Sequence, residues 1–375
     1  MIDDLGILHL SDVHYGNPRV EPGSITVGLK MCLPMDAPYP HAKLLLVHGD
    51  YFDSDFRLAA SAAGHAQQGM IYLLLYCAKH GIILRFLEGT PKHDRKQSAN
   101  VVMLAEGYGI DVDVKYIDDL SIEYIPSLDI NILYVPDERN LDALDTFAEA
   151  QALIHSRGLE QVDIVSMHGA WLYQMPIVHK SYHDSVMWAT LVKWHIYSGH
   201  IHTHSRYLKN VSVGSFGRNF HGEEEQKGML YTLYAGDECD IQHIVNPCAR
   251  IFKTLDVIGM DYRGIVELVK TEALPNKSAI RLRHDGQGSI DTTLALLAEE
   301  FPQYTWTEVS PKTKATDDMP SALDSDEMDV DADFINLTPE NLPPMVERTL
   351  SSGEVDLHGY VVDELMELFK EVLDE

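Results

Sequence analysis

Aspartate and histidine recur along this chain in short groups, most of them beside glycine. Asp12-Val13-His14 comes first, followed by Gly49-Asp50-Tyr51-Phe52-Asp53 and Gly89-Thr90-Pro91-Lys92-His93-Asp94. His168-Gly169 and Gly199-His200-Ile201-His202 complete the series. Hard carboxylate and borderline imidazole ligands together suit Mn, Zn or Fe. An aspartate can bridge two cations with its two oxygens, which a neutral imidazole cannot do. Two cations held about 3.5–4 Å apart can clamp a phosphate and supply the nucleophile for in-line attack. A further histidine can protonate the leaving oxygen.

Each group is weak alone. With 34 Asp and 19 His in the chain, random order gives roughly one or two D-x-H triplets and about one H-x-H. Chance does not supply the order, in which each group follows a short apolar run. Gly6–Leu10, Lys43–Val47, Ile82–Leu87, Val162–Met167 and Trp194–Ser198 read as buried strands. Loops at the carboxyl ends of such strands are where α/β proteins build ligand sites.

The remaining pattern fills in an α/β domain of about 250 residues with a large mixed sheet. Gln67–Lys79 reads as a helix stopped by Gly81, and Ser98 as the cap of a helix running to Gly107. Leu120–Val135 reads as two strands around Pro126, and Asn140–Arg157 as a helix ended by Gly158. Asn210–Gly214 and Met229–Tyr234 are further strands. From Arg250 the order strand, helix, strand, helix, strand predicts a second, small α/β domain.

The charge is −29, from 58 acidic and 29 basic side chains. That excludes nucleic-acid coating by net charge alone. Residues 311–375 hold 18 acids against 4 basic residues, so about half the excess sits in one tail. Ala315–Asp333 is acidic, small and poor in large apolar residues, which predicts a disordered linker. Leu357, Val361, Leu365, Leu368, Phe369 and Val372 then return at helical spacing. Basic residues gather near the Asp/His groups: Lys92, Arg95 and Lys96 after the third strand, and Arg206, Lys209, Arg218 and Lys227 after the fifth. They suggest a local positive track beside a pair of dications. Four scattered cysteines form no CxxC pair, as in a reducing cytoplasm. The acidic N-terminus is not a signal peptide, and no segment is long and clean enough to span a membrane.

The series D-x-H, G-D-x-x-D, a variant of G-N-H-D, H-G and G-H-x-H resembles the calcineurin-like metallophosphoesterases. Gly214-Ser215-Phe216-Gly217-Arg218, His221-Gly222-Glu223-Glu224-Glu225 and Lys227-Gly228 resemble the segment after the last motif in SbcD-type DNA repair nucleases, in particular their bacteriophage versions. The resemblance covers about residues 5–257. It implies a mixed β-sheet sandwich flanked by helices over residues 1–249 and a capping domain over 250–312. An acidic linker over 313–335 and a helical partner-binding segment over 336–375 would follow.

By position, the resemblance implies that Asp12, His14 and His202 hold one metal ion. His168 and His200 would hold a second, and Asp50 would bridge the two. His93 matches a histidine that is not a ligand but assists phosphodiester cleavage. The ions implied are two Mn2+, with Mg2+, Zn2+ or Fe2+ as alternatives. The family's asparagine ligand has no counterpart between Gly89 and His93, so either Thr90 or a water fills its place or the second site is weak; a protonated Lys92 cannot coordinate a cation. The implied activity is exo- and endonucleolytic cleavage of DNA in repair and recombination. The implied partners are an SMC-like, SbcC-type ATPase bound through 336–375, and a second copy of the chain bound through helices near 67–79 and 98–106. Met70, Tyr72, Leu73 and Tyr76 are candidates for that dimer face, and equally for packing in the chain's own core. The compartment implied is the cytoplasm, the host's for a bacteriophage protein. Two other readings stay open: a small-substrate metallophosphoesterase, and a non-catalytic scaffold whose second metal site has decayed.

Overall fold

The apolar runs become strands buried on both faces. In the computed structural model, residues 4–54, 61–137, 140–175, 179–236, 238–285 and 290–309 are described. The first part alternates: β1 (Leu5–Leu10), α1 (Pro22–Cys32), β2 (Ala42–His48), α2 (Ser61–His80), β3 (Ile83–Leu87), α3 (Asn100–Tyr108) and β4 (Val114–Ile117). Next come β5 (Ser121–Ile125), β6 (Ile130–Val135), α4 (Ala143–Ser156), β7 (Val162–His168), the short α5 (Ser185–Trp188) and β8 (Val192–Gly199). β9 (Ser205–Tyr207), β10 (Asn210–Ser212), β11 (Gly228–Ala235) and β12 (Glu238–Val245) follow. β13 (Phe252–Asp256), α6 (Tyr262–Glu272), β14 (Ala279–Arg283), α7 (Asp291–Glu300) and β15 (Thr305–Val309) close the described chain.

The fold is α/β, with two six-stranded mixed sheets instead of the one large sheet that the pattern suggested. Their orders are β12-β11-β1-β2-β3-β4 and β5-β6-β7-β8-β10-β9. The strands β1 to β4 run parallel, as do β6, β7, β8 and β10. Alternate residues of one strand serve two cores. In β2, Leu44 and Leu46 pack between the sheets, while Leu45 and Val47 face the layer of α1, α2 and α3. In β6, Ile132 and Tyr134 face inward, while Leu133 and Val135 pack with Ala150 and Ile154 of α4. Burial on both faces explains why these strands lack a polar alternation.

Residues 250–309 form a third sheet, β13-β14-β15, all parallel, with its own core of Leu255, Ile265, Val269, Ile280, Leu282 and Leu297. Asp261 caps α6 by accepting the Gly264 N–H. Contacts group these elements with the two large sheets in one unit, Met1–Lys312. The expected linker over 313–335 and helical segment over 336–375 lie outside the described residues. No helix among the described residues is long and apolar enough to cross a membrane.

Three local expectations change. Ser98 does not cap α3: it is buried in a short 3-10 turn, and α3 starts beyond it with no side-chain cap. Met70, Leu73 and Tyr76 of α2 are fully buried in this chain's own core, so they supply no dimer face. Tyr72 is half-buried and gives its hydroxyl to the Leu33 carbonyl. The helix α1 was not anticipated; Pro22 opens it, and Ile25, Leu29 and Cys32 bury its inner face.

A string of buried polar rings lies between the sheets. His9 Nδ1 and His48 Nε2 are 3.0 Å apart, and His48 Nδ1 lies 2.9 Å from Ser166 Oγ. His9 stacks on Tyr197 at 3.7 Å between ring centres. Burial, and then the neighbouring imidazole of His168, push His48 down to about 3 from 6.5. Burial and His48 push His9 down as well. The folded chain therefore refuses protons that the unfolded chain takes up below about pH 6.5, so stability falls as pH drops from there toward 3. We expect the denaturation midpoint of the metal-free protein to fall from pH 6.5 to 4.5, with a shallower fall in His48→Gln. Equal slopes in the two proteins would remove His48 from this account.

Candidate metal centre

Six parallel strands end at one place, three from each large sheet. β1 delivers Asp12 and His14, β2 delivers Asp50, and β3 delivers Thr90 and His93. From the other sheet, β6 delivers Asp137, β7 ends on His168, and β8 delivers His200 and His202. All six residues expected as ligands come together here, with His93 beside them.

The backbone turns sharply to present them. Asp12, His14, Asp50 and His200 all have positive φ, between 47° and 88°. Such a conformation is costly for residues with a Cβ, and outliers of this kind tend to gather at functional sites. Two glycines let the loops close. A Cβ on Gly89 would lie 2.2 Å from both Asp50 N and Asp50 Oδ1, and one on Gly199 would lie 2.1 Å from Ser11 Oγ and 2.7 Å from His168 Nδ1.

One group of ligand atoms is Asp12, His14 and His202. His14 Nε2 and His202 Nε2 approach to 3.0 Å, and Asp12 Oδ1 lies 4.0 and 3.9 Å from them. A second group is Asp137, His168 and His200. Asp50 joins the two: its Oδ2 lies 3.3 Å from His168 Nε2, 4.0 Å from His14 Nε2 and 3.1 Å from His93 Nδ1. Asp12 and Asp50 are buried, and their ion-pair partners are histidines. Buried carboxylates set among imidazoles fit divalent cations, and these groups could hold a metal ion.

The histidines are held from behind. His168 Nδ1 lies 2.6 Å from the His48 carbonyl and His202 Nδ1 pairs with Glu223 Oε1; Asp53 Oδ1 lies 3.4 Å from His14 Nδ1 as an ion-pair partner, without hydrogen-bond geometry. Each contact leaves Nε2 facing the cleft, the arrangement that orients metal-binding imidazoles. Asp53 and Glu223 lie inside stretches singled out in the sequence, but their positioning role was not anticipated. Glu223 is itself fixed by the Asn219 N–H.

Asp137 was missed altogether. It follows the strand Ile130–Val135, and the strand-end rule that found the other groups would have found it. The isolated Pro136-Asp137 has no glycine or histidine beside it to attract notice.

Burial would lower the proton affinity of His168, but the Asp50 carboxylate overrides it and holds His168 well above the usual imidazole range. His202 is likewise pulled down by burial and raised further by Glu223, for a net rise. Despite burial, Asp50 sits well below the carboxylate range because of His168 first, then His93 and His14. Burial raises Glu223, but His202 and Lys227 bring it down to about 2. In the metal-free centre these upward shifts favour the protonated forms of His168 and His202, and a cation must displace such protons. We expect Mn2+ binding to release protons at pH 7 and affinity to rise with pH up to those raised values. Calorimetry in two buffers of different ionisation heat reads this directly; equal heats would contradict it.

The positive track is thinner than the sequence suggested. Lys227 is buried, donates a hydrogen bond to the His202 carbonyl at 2.9 Å and pairs with Glu225 at 2.6 Å. Arg218 is also buried and donates to the carbonyls of Ala249 and Glu225. Both brace the loop behind His202. Lys92, Arg95, Lys96, Arg206 and Lys209 remain on or near the surface; Lys96 pairs with Asp118 at 3.0 Å.

No family model matches the chain, and no curated protein matches it. Many solved structures are similar to it, two of them as follows. One, described only as a crystal structure, shares 9% identity at a TM-score of 0.41, with coverage of 64% of this chain and 99% of that one. The other is GAP50, the anchor in the inner membrane complex of Plasmodium: 12% identity, a TM-score of 0.37, and coverage of 73% and 96%. At these scores neither likeness carries an argument about this chain.

Proposed function

We propose that this protein is a two-metal phosphodiesterase of the calcineurin-like metallophosphoesterase type, and that its substrate is DNA. The observation that carries this reading is the placement of Asp50 between two groups of ligand side chains, one around Asp12, His14 and His202 and one around His168 and His200. A pair of divalent ions, when bound, withdraws charge from a phosphate and generates the nucleophile. The chain's own part is to fix the geometry. Asp50 turns Oδ2 toward both groups, while Oδ1 accepts the Thr90 N–H, and its charge would be shared between them. His14, His168 and His202 present Nε2, each held by its contact behind. His93, at the rim of the site, carries a proton to or from the reacting phosphate.

The nuclease reading rests on the resemblance of Gly214–Gly228 to the SbcD-type nucleases. That segment packs against His202 through Glu223 and Lys227. In this reading the chain is the nuclease subunit of an SbcCD-like complex. Residues 336–375 engage an ATPase that supplies the positive DNA-binding surface this acidic chain lacks.

The test is digestion of 3′-labelled duplex DNA, single-stranded DNA and bis-p-nitrophenyl phosphate by the full chain with Mn2+, with and without EDTA. We expect EDTA-sensitive loss of label. Hydrolysis of bis-p-nitrophenyl phosphate alone would favour the small-substrate enzyme. No hydrolysis of any substrate by a metal-loaded chain would favour the scaffold.

A further inference from the structure

We propose that Asp137 is a ligand of the second cation, and that with Thr90 it replaces the neutral asparagine oxygen that the family resemblance leads one to expect. The inference rests on the two-metal reading and adds a residue and a charge to it.

The third loop lacks an asparagine, yet the corresponding space is filled. Thr90 Oγ1 lies 3.2 Å from Asp50 Oδ2, 3.4 Å from His168 Nε2 and 3.1 Å from Asp137 Oδ2. Its backbone N–H, 2.6 Å from Asp50 Oδ1, holds the loop against the bridging carboxylate. Asp137 arrives from the opposite sheet. One of its oxygens and a ring nitrogen from each of His168 and His200 all lie within 4.8 Å of one another. Its side chain is 13% exposed, and its ion-pair partner is His200, at 3.5 Å. A carboxylate at this depth needs a compensating charge. A cation among Asp137, His168 and His200 supplies it.

A role limited to orienting His200 fits less well. Glu223 orients His202 by pairing with its Nδ1 while Nε2 of the same ring faces His14. Asp137 Oδ2 also faces an Nδ1, that of His200 at 3.5 Å, but it shares Thr90 Oγ1 with Asp50 and groups with ligand atoms of both His168 and His200. Its oxygen is part of the ligand group rather than a brace behind it.

The consequence is electrostatic. An asparagine would leave Asp50 as the one negative ligand on the second side. Asp137 adds a full negative charge at ligand distance, which tightens the hold on a dication. The site has lost a neutral ligand and gained an anionic one from another strand, so the altered third motif does not mean a decayed centre.

The test is Mn2+ titration of the EDTA-stripped full chain by calorimetry, with metal content after dialysis and the electron spin resonance spectrum of the loaded protein. We expect two equivalents and a spin-coupled spectrum for the native chain. Asp137→Ala should retain one equivalent and give an uncoupled spectrum. Asp137→Asn should retain two, with the weaker affinity reduced about 10-fold or more. Circular dichroism of the two variants controls for folding, and Asp137→Asn is nearly isosteric. Two equivalents in Asp137→Ala, both with native affinity, would overturn this proposal alone. Fewer than two equivalents in the native chain would overturn the two-metal reading itself.

Discussion

Asp50→Asn is expected to abolish the proposed metal-dependent hydrolysis, lowering the rate on bis-p-nitrophenyl phosphate by at least about 10²–10³-fold. The expectation follows from the position of one oxygen. Asp50 Oδ2 lies within 3.3 Å of His168 Nε2, Thr90 Oγ1 and His93 Nδ1. An amide keeps the shape but loses the charge that two dications would share. The variant should still fold. Asp50 has φ of 49°, a left-handed conformation that asparagine tolerates better than most residues. Removing the Asp50 charge also relieves Asp94, which burial and Asp50 together raise to about 8 while it holds the Phe52 and Gly89 N–H groups. Near-native circular dichroism with fewer bound Mn2+ equivalents and lost hydrolysis is the expected combination. Native hydrolysis in this variant would remove Asp50 from the centre of the reaction.

The parts of this centre that were legible share one property. Asp12, Asp50, His168 and His200 each follow a strand buried on both faces, and such strands appear in sequence as unbroken apolar runs with a polar stop. Asp137 obeys the same geometry, but a lone Pro-Asp after a strand is common, and only the tertiary fold brings it across from the other sheet. The basic residues show the opposite failure. Arg218 and Lys227 were counted as surface charge because sequence reports a charge but not the carbonyls and carboxylates that surround it. Apolar faces on helices were ambiguous for a related reason. Met70, Leu73 and Tyr76 have the same helical spacing whether they meet a partner or their own sheet, and here they meet their own sheet. The split into two large sheets was hidden because local pattern marks strands, while their partners depend on contacts distant in sequence.

His93→Asn should separate chemistry from metal binding. His93 sits at the rim, its side chain 39% exposed, with Nδ1 3.1 Å from Asp50 Oδ2 and its ring edge-on to His14 at 5.1 Å. Burial lowers its proton affinity, but Asp50 raises it further, so the net shift is upward, toward the proton-bearing form. A proton donor matters most when the leaving group is a strong base. The 3′ oxygen of a nucleotide leaves as a strongly basic alkoxide unless it is protonated, whereas p-nitrophenolate is a much weaker base and leaves without help. We therefore expect His93→Asn to bind the native number of Mn2+ ions and to lose about 10²–10⁴-fold in DNA cleavage. The loss on bis-p-nitrophenyl phosphate should be far smaller. If His93 instead serves only to hold Asp50 in place, both substrates fall together and the Mn2+ affinity falls with them. The ratio of the two losses, more than either loss alone, decides between a proton carried to the leaving oxygen and a hydrogen bond that steadies the bridging carboxylate.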